Sequence, residues 1–160
     1  MDYVASLRKI PLLSKVENED LKFLASMLKE KQTKKGENVI TEGDSGDEMY
    51  VLIEGTVDIV KKTIYGDEFV VATLDAGSNC VFGEMAMIDS DKRSATVKAK
   101  EDCVSLSINR KDFDRFCNER PKSGVVLLRL IGINLARNVR AGNDNLRMVY
   151  QALIEEIETK

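Results

Sequence analysis

Residues 82–97 read Phe-Gly-Glu-Met-Ala-Met-Ile-Asp-Ser-Asp-Lys-Arg-Ser-Ala-Thr-Val and hold the side chains best suited to a small charged ligand. Glu84-Met85-Ala86-Met87-Ile88 is a short helix-like stretch opened by Gly83. A glycine there lets a ligand approach the backbone closely, and first-turn N–H groups suit an anion. Nine residues after Glu84 comes Arg93, followed by the small residues Ser94 and Ala95 at the entry to a strand. A guanidinium beside such N–H groups makes a phosphate site, with paired donors and a charge that does not titrate away. A carboxylate at Glu84 would repel phosphate. Its oxygens suit a sugar hydroxyl, however, with Arg93 offsetting its charge. One anion, one hydroxyl and an apolar surround describe a nucleotide. The same residue types also suit a capped turn with a surface ion pair, and on their own they leave both open.

The composition removes most other chemistry. The chain of 160 residues has no histidine. Ser-His-Asp and Cys-His nucleophiles, His-ligated metal sites and the usual general base near neutral pH are therefore absent. Cys80, Cys103 and Cys117 are odd in number and lack any C-x-x-C spacing, so they read as reduced thiols in a cytoplasmic protein. The net charge of −3 gives no bulk attraction to nucleic acid or anionic lipid. No signal peptide is visible in the first residues, and apolar runs such as Val125–Leu128 are far too short for a membrane span, so none is expected.

Those chemistry-bearing residues must be held by a β-rich centre. Seven of the ten glycines fall within residues 36–83, spaced as turns between short apolar runs. Met49–Ile53, Thr56–Val60 and Phe69–Leu74 are β-branched and aromatic. Ala95, Val97 and Ala99 alternate with Thr96, Lys98 and Lys100; Val104, Leu106 and Ile108 alternate with Cys103, Ser105 and Ser107. Each set predicts one buried and one wet face in an antiparallel barrel or sandwich. Both flanks read as helical. Asn18 is an expected N-cap for a helix carrying Leu21, Leu24, Ala25 and Leu28, and Asn109 for a short helix through Phe113 and Phe116.

The last 39 residues read as one long helix, interrupted or not. Val125, Leu128, Gly132, Leu135, Val139, Gly142, Leu146, Val149 and Leu153 alternate by threes and fours. A second stripe, Val126, Leu130 and Ile133, faces elsewhere. Two apolar contacts are expected in the first half of this helix, one with the chain's own barrel and the other open to a partner. The alternative is a single helix packed only on its own core. Glycine at 132 and 142 costs roughly 1 kcal/mol each against alanine, a cost that close approach of another backbone would explain.

Taken together, Phe82–Ala86 and Arg93–Val97 resemble the phosphate-binding cassette of the cyclic-nucleotide-binding domain family. That family includes catabolite activator proteins and protein kinase A regulatory subunits. Lys35–Ile40, Glu42–Tyr50, Ile53–Val57 and the opening Ile10–Leu13 agree with it. The resemblance covers residues 5–145. It implies an α+β, mainly β architecture: an eight-stranded antiparallel β-roll, jelly-roll-like, with N-terminal helices over 1–34, the roll over 35–108 and C-terminal helices over 109–160. It implies a ligand, cAMP or cGMP, and no separate cofactor or metal. By resemblance Glu84 takes the ribose 2′-hydroxyl and Arg93 the cyclic phosphate, while Gly83, Met85, Ser94 and Ala95 complete the cradle. Arg140 and Asn143 are candidates for the base edge. Serine rather than threonine after the arginine favours cAMP. Two departures stand out: an apparent insertion over Ser78–Val81, and Lys92 where a proline is common.

The resemblance also frames the output. Catabolite activators continue the long helix into a winged helix-turn-helix, but only 15 residues follow Asn145 here, so no DNA contact is expected. The expectation is a non-catalytic, bacterial-type sensor domain acting through an unidentified effector protein, or as a homodimer through its C-terminal helix. The alternatives are the same fold used as an interaction module without nucleotide, and a cupin-like enzyme, which the missing histidines disfavour.

Overall fold

The structure, a computed structural model, describes residues 3–77 and 80–158. Helix α1 (Tyr3–Arg8), a 3-10 turn and α2 (Asn18–Met27) precede the strands. These are β1 (Lys29–Thr33), β2 (Asn38–Ile40), β3 (Glu48–Glu54), β4 (Thr56–Lys62), β5 (Glu68–Asp75), β6 (Val81–Phe82), β7 (Thr96–Ala99) and β8 (Cys103–Asn109). A 3-10 turn over Glu84–Met87 joins β6 toward β7, and α3 (Arg110–Glu119) and α4 (Pro121–Glu158) close the chain. The eight strands form two antiparallel sheets, ordered β1-β8-β3-β6 and β2-β7-β4-β5. This is the expected mainly-β roll with helical flanks.

The core between the sheets takes the apolar faces of every layer. Leu52 of β3, Val57 of β4 and Leu106 of β8 are 0–2% exposed. Leu7, Leu21 and Leu24 enter from the N-terminal helices, Phe113 and Phe116 from α3, and Leu127 and Ile131 from α4. Each such side chain contributes about 1.5–3 kcal/mol by leaving water. The junction of α3 and α4 is tied to α2 by polar contacts: Arg120 Nε lies 2.9 Å from Asp20 Oδ1, and Ser123 Oγ donates to Asp20 Oδ2 at 2.5 Å. Asn109 caps α3 as expected, its Oδ1 accepting from the Asp112 N–H at 2.9 Å.

Several expectations are corrected. Residues 29–33 belong to a strand rather than to the tail of the N-terminal helices. Their charged side chains sit on an edge strand, where only the backbone needs to pair, with Cys103–Ser107 of β8. Asn18 is the first helical residue and not the cap. Glu17 occupies that position without a side-chain bond, and the Asn18 carboxamide oxygen instead accepts from Arg8 at 3.4 Å. The expected wet face of β7 holds at Lys98 and Lys100 but not at Thr96, which is buried, and that of β8 is not wet: Cys103, Ser105 and Ser107 are all buried. Strand β8 is flanked on both sides and covered on both faces, and its small polar groups are hydrogen-bonded, as when Ser107 Oγ donates to Glu48 Oε1 at 3.2 Å.

The long helix runs unbroken for 38 residues, but its phase differs from the expected one. Ser123, Gly124, Leu127, Ile131 and Asn134 are its buried face. Val126, Leu130 and Leu135 pack partly against the core, whereas Ile133 is exposed. Val125, Leu128, Val139, Leu146, Val149 and Leu153 of the longer stripe face solvent, and nothing lies near Gly132 or Gly142. The second contact is thus left open by the chain itself. Among the described residues no helix is long and apolar enough to cross a membrane.

Candidate functional site

Gly83 and Arg93 of segment 82–97 are brought together although they lie ten positions apart. Gly83 sits at φ +71, a left-handed conformation that starts the 3-10 turn and costs a side chain roughly 1–2 kcal/mol. Where a short helix was expected there is this single turn, closed by the Ala86 N–H donating to Gly83 O at 3.2 Å. Arg93 Nη1 donates to the same Gly83 carbonyl at 3.3 Å, and Nη2 to Glu48 O at 2.8 Å. The backbone of Arg93 is gripped by the β2–β3 loop: its N–H donates to Asp44 O and its carbonyl accepts from the Gly43 N–H, both at 2.9 Å. Gly46 completes the seat. A Cβ added there would lie 2.6 Å from Arg93 Nε, so a side chain at 46 would push the guanidinium out of its present position.

The remaining cassette residues take distinct positions. Ser94 is exposed and its Oγ lies 3.6 Å from Met85 Sδ, so these two close the outer side. Met85 is 43% exposed and Ala95 is half-buried. Lys61 of β4 reaches across to the Ser94 carbonyl and pairs with Glu42 Oε1 at 2.7 Å. Arg110, the first residue of α3, donates through Nε to Ala86 O at 2.8 Å and through Nη1 to Ser90 Oγ at 2.9 Å, fastening α3 to the turn. An open groove of about 970 Å³ lies beyond this, between Gly46, Ser90 and α3; neither Glu84 nor Arg93 lines it.

Glu84 is 5% exposed. Burial pushes its carboxyl above the ordinary range, against which its own backbone N–H and the Asn138 amide favour the ionised form. Asn138 Nδ2 donates to Glu84 Oε1 at 3.2 Å. The expected pairing with Arg93 is not made. Among the described residues neither Glu84 nor Arg93 has an ion-pair partner, and Arg93 rests on neutral carbonyls. Each charge is held in place and left to be matched.

Arg140 and Asn143 are not brought to the site. Both are exposed, and at about 100° per residue they lie far round α4 from Asn138. The helix residues that do meet the cassette are Asn134 and Asn138, which the sequence reasoning missed. They fall in phase with Leu127 and Ile131, and following that phase would have found them. Of the apparent insertion, Ser78 and Asn79 lie outside the described residues; Cys80 and Val81 are buried. Burial also pushes the thiols of Cys80, Cys103 and Cys117 up, which makes them poor nucleophiles. No group able to hold a metal ion occurs among the described residues.

A family model described as "Cyclic nucleotide-binding domain" matches residues 30–120. A cAMP-dependent protein kinase regulatory subunit of Yarrowia lipolytica is 34% identical over 71% of this chain and 29% of its own length. The chain spans 21–36% of the length of the curated relatives it matches. A cyclic nucleotide-binding domain from Methylobacillus flagellatus superposes with a TM-score of 0.79 at 26% identity, covering 91% of this chain and 84% of that one. The regulatory subunit of a cAMP-independent protein kinase A from Trypanosoma brucei superposes at 0.66 with 29% identity, covering 81% of this chain and 46% of that one.

The raised pKa of Glu84 has a signed consequence. A carboxyl whose folded pKa exceeds its unfolded value destabilises the fold when ionised, and the penalty is relieved as pH falls through the folded pKa. Glu84→Gln keeps the shape and the Asn138 acceptor without the charge. It is expected to raise the melting temperature near neutral pH and to change it little in mild acid, as read by thermal denaturation of the ligand-free protein. A variant that melts below the wild type near neutral pH would contradict this.

Proposed function

The chain belongs to the cyclic nucleotide-binding domain family, and from that premise we propose that it binds a cyclic nucleotide, cAMP ahead of cGMP, as a non-catalytic sensor. The observation that carries the reading is the pair of unmatched charges at Glu84 and Arg93. A buried charge without a partner is costly, and such groups mark sites that a ligand completes. The cyclic phosphate would take the Arg93 guanidinium away from the Gly83 and Glu48 carbonyls in exchange for charge-assisted bonds, which are about twice as strong as neutral ones. Backbone groups at Gly83, Met85, Ser94 and Ala95 border that position. The ribose 2′-hydroxyl would donate to Glu84. Serine at position 94 supports cAMP, since it stands where a threonine accompanies cGMP in the family. The Trypanosoma brucei relative is described as cAMP-independent, so the ligand is argued from this chain's own residues.

Arg93→Ala is expected to weaken cAMP binding by about 2–5 kcal/mol in calorimetric titration, because it removes a paired contact to a desolvated phosphate. Arg93→Lys recovers only part of the loss, since an ammonium lacks the planar fork. Wild-type affinity in both variants would contradict the assignment of Arg93.

A change at the cassette reaches the outside through α3, by way of Arg110, and through α4. The exposed stripe on α4 supports a second copy of the chain as the partner, because its spacing by threes and fours is that of a two-helix seam and glycines 132 and 142 leave room for another backbone. A cytoplasmic setting fits the three free, unreactive thiols. Val139→Asp and Leu146→Asp, both at exposed positions, are expected to shift the mass toward monomer in sedimentation equilibrium while the melting temperature holds. A wild-type mass of one chain at every concentration, with and without cAMP, would refute the dimer.

A further inference from the structure

The ladder between β4 and β7 ends at the pair Val60 and Thr96, and one more step would set Lys61 across from Ala95. That step is not taken. The chain has left the sheet at Ala95, and the Lys61 side chain supplies the tie instead, its Nζ donating to the Ser94 carbonyl. The ammonium is held from behind by Glu42 Oε1 at 2.7 Å. Glu42 Oε2 is buried without a partner, so this carboxylate is committed to Lys61 through one oxygen. The hydrogen bond from Lys61 holds the Glu42 carboxyl below the usual range in spite of burial, which keeps it ionised. Residues 42 and 43 run beside 93–96: the Gly43 N–H donates to Arg93 O at 2.9 Å and the Glu42 N–H to Thr96 Oγ1 at 3.0 Å. Among the described residues the N–H groups of Ser94 and Ala95 meet no protein acceptor.

An ion pair this open to solvent adds little to stability. Its placement on a carbonyl beside the anion seat has another use. A trans peptide points its N–H opposite to its carbonyl, and a cation on the oxygen polarises the group and makes the N–H a stronger donor. Lys61 fixes the Ser94 carbonyl toward β4, so the Ala95 N–H of the same peptide is turned away from β4. We infer that Lys61 is a positioning residue for the ligand anion: braced by Glu42, it sets the Ser94–Ala95 peptide so that the Ala95 N–H meets one exocyclic oxygen of the phosphate held by Arg93. This rests on the proposed function. Lys61 does not itself touch the nucleotide. Its charge is taken up by Glu42 and the carbonyl, which leaves Arg93 as the cation that faces the monoanionic phosphate.

The test is calorimetric titration of the wild type, of Lys61→Arg, and of the double variant Lys61→Met with Glu42→Gln. Each is titrated with cAMP and with its Rp and Sp phosphorothioates, in which sulfur, a weak acceptor, replaces one or the other exocyclic oxygen. The double variant removes both charges together, so no buried carboxylate is left without its cation. It is expected to bind cAMP about tenfold more weakly than the wild type, the size of one hydrogen bond to a charged group. The same loss is expected with one phosphorothioate and little loss with the other, whose sulfur already faces the Ala95 N–H. Lys61→Arg keeps a cationic donor and is expected to follow the wild type. Undiminished cAMP binding by the double variant would overturn the inference. So would an equal loss across all three ligands, which marks a general loosening of the cassette, or a loss in Lys61→Arg as large as in the double variant. If the wild type binds none of the three, the function itself fails; if it binds cAMP and the double variant matches it, only the role of Lys61 fails.

Discussion

A carboxylate shut away from water must be given hydrogen-bond donors, and Glu84 is that carboxylate. It stands 5% exposed in the first position of a one-turn helix, with no ion-pair partner among the described residues. Its backbone N–H is one donor and the Asn138 amide another. Around this constraint much of the site becomes intelligible. The turn must start from a left-handed residue, which is Gly83. Helix α4 must pass close enough to lend the Asn138 amide, which requires Ile131 and Leu127 to be sunk in the core two and three turns earlier.

Arg93 poses the complementary problem. Its guanidinium is half-buried and bonded to carbonyls that carry no net charge. What holds it is the β2–β3 loop, through the backbone of Gly43 and Asp44 and the bare Cα of Gly46. The roll brings this loop, some fifty residues earlier in the chain, under the arginine because β2 pairs with β7 and β3 pairs with β8. A positive and a negative group are thereby held at one turn, Arg93 on the Gly83 carbonyl and Glu84 as the next residue, with no ion pair to either among the described residues. This is what a ligand carrying both an anion and a hydroxyl requires.

How much of this was legible beforehand depended on distance along the chain. The strands at 49–74 announced themselves through glycine spacing and β-branched runs, and Gly83, Glu84 and Arg93 through type and spacing within sixteen residues. Strand β1 did not. Lys-Glu-Lys-Gln-Thr has no apolar pattern, and it becomes a strand only because β8 offers it an edge. The burial of Ser105 and Ser107 was hidden for the same reason, since alternation cannot show that a strand will be covered on both faces. On α4 the conspicuous apolar stripe is not the face that docks, and the polarity of Arg140 and Asn143 carries no information about helical phase, which turns both to solvent. Asn134 and Asn138 were discoverable only by continuing the Leu127–Ile131 phase into polar residues. The partner of Glu84 lies 54 residues away, beyond any local signal.

The central claim is that these two charges are kept apart for a cyclic nucleotide, and it can be met directly on the unaltered protein. The measurement is isothermal titration of the wild-type chain, in parallel, with cAMP, cGMP and the open-ring 5′-AMP. The account predicts saturable binding of one nucleotide per chain for cAMP, weaker binding of cGMP, and much weaker binding of 5′-AMP, whose dianionic, uncyclised phosphate does not match a seat built around one guanidinium. Absence of saturable heat with either cyclic nucleotide, or equal binding of 5′-AMP, would contradict it.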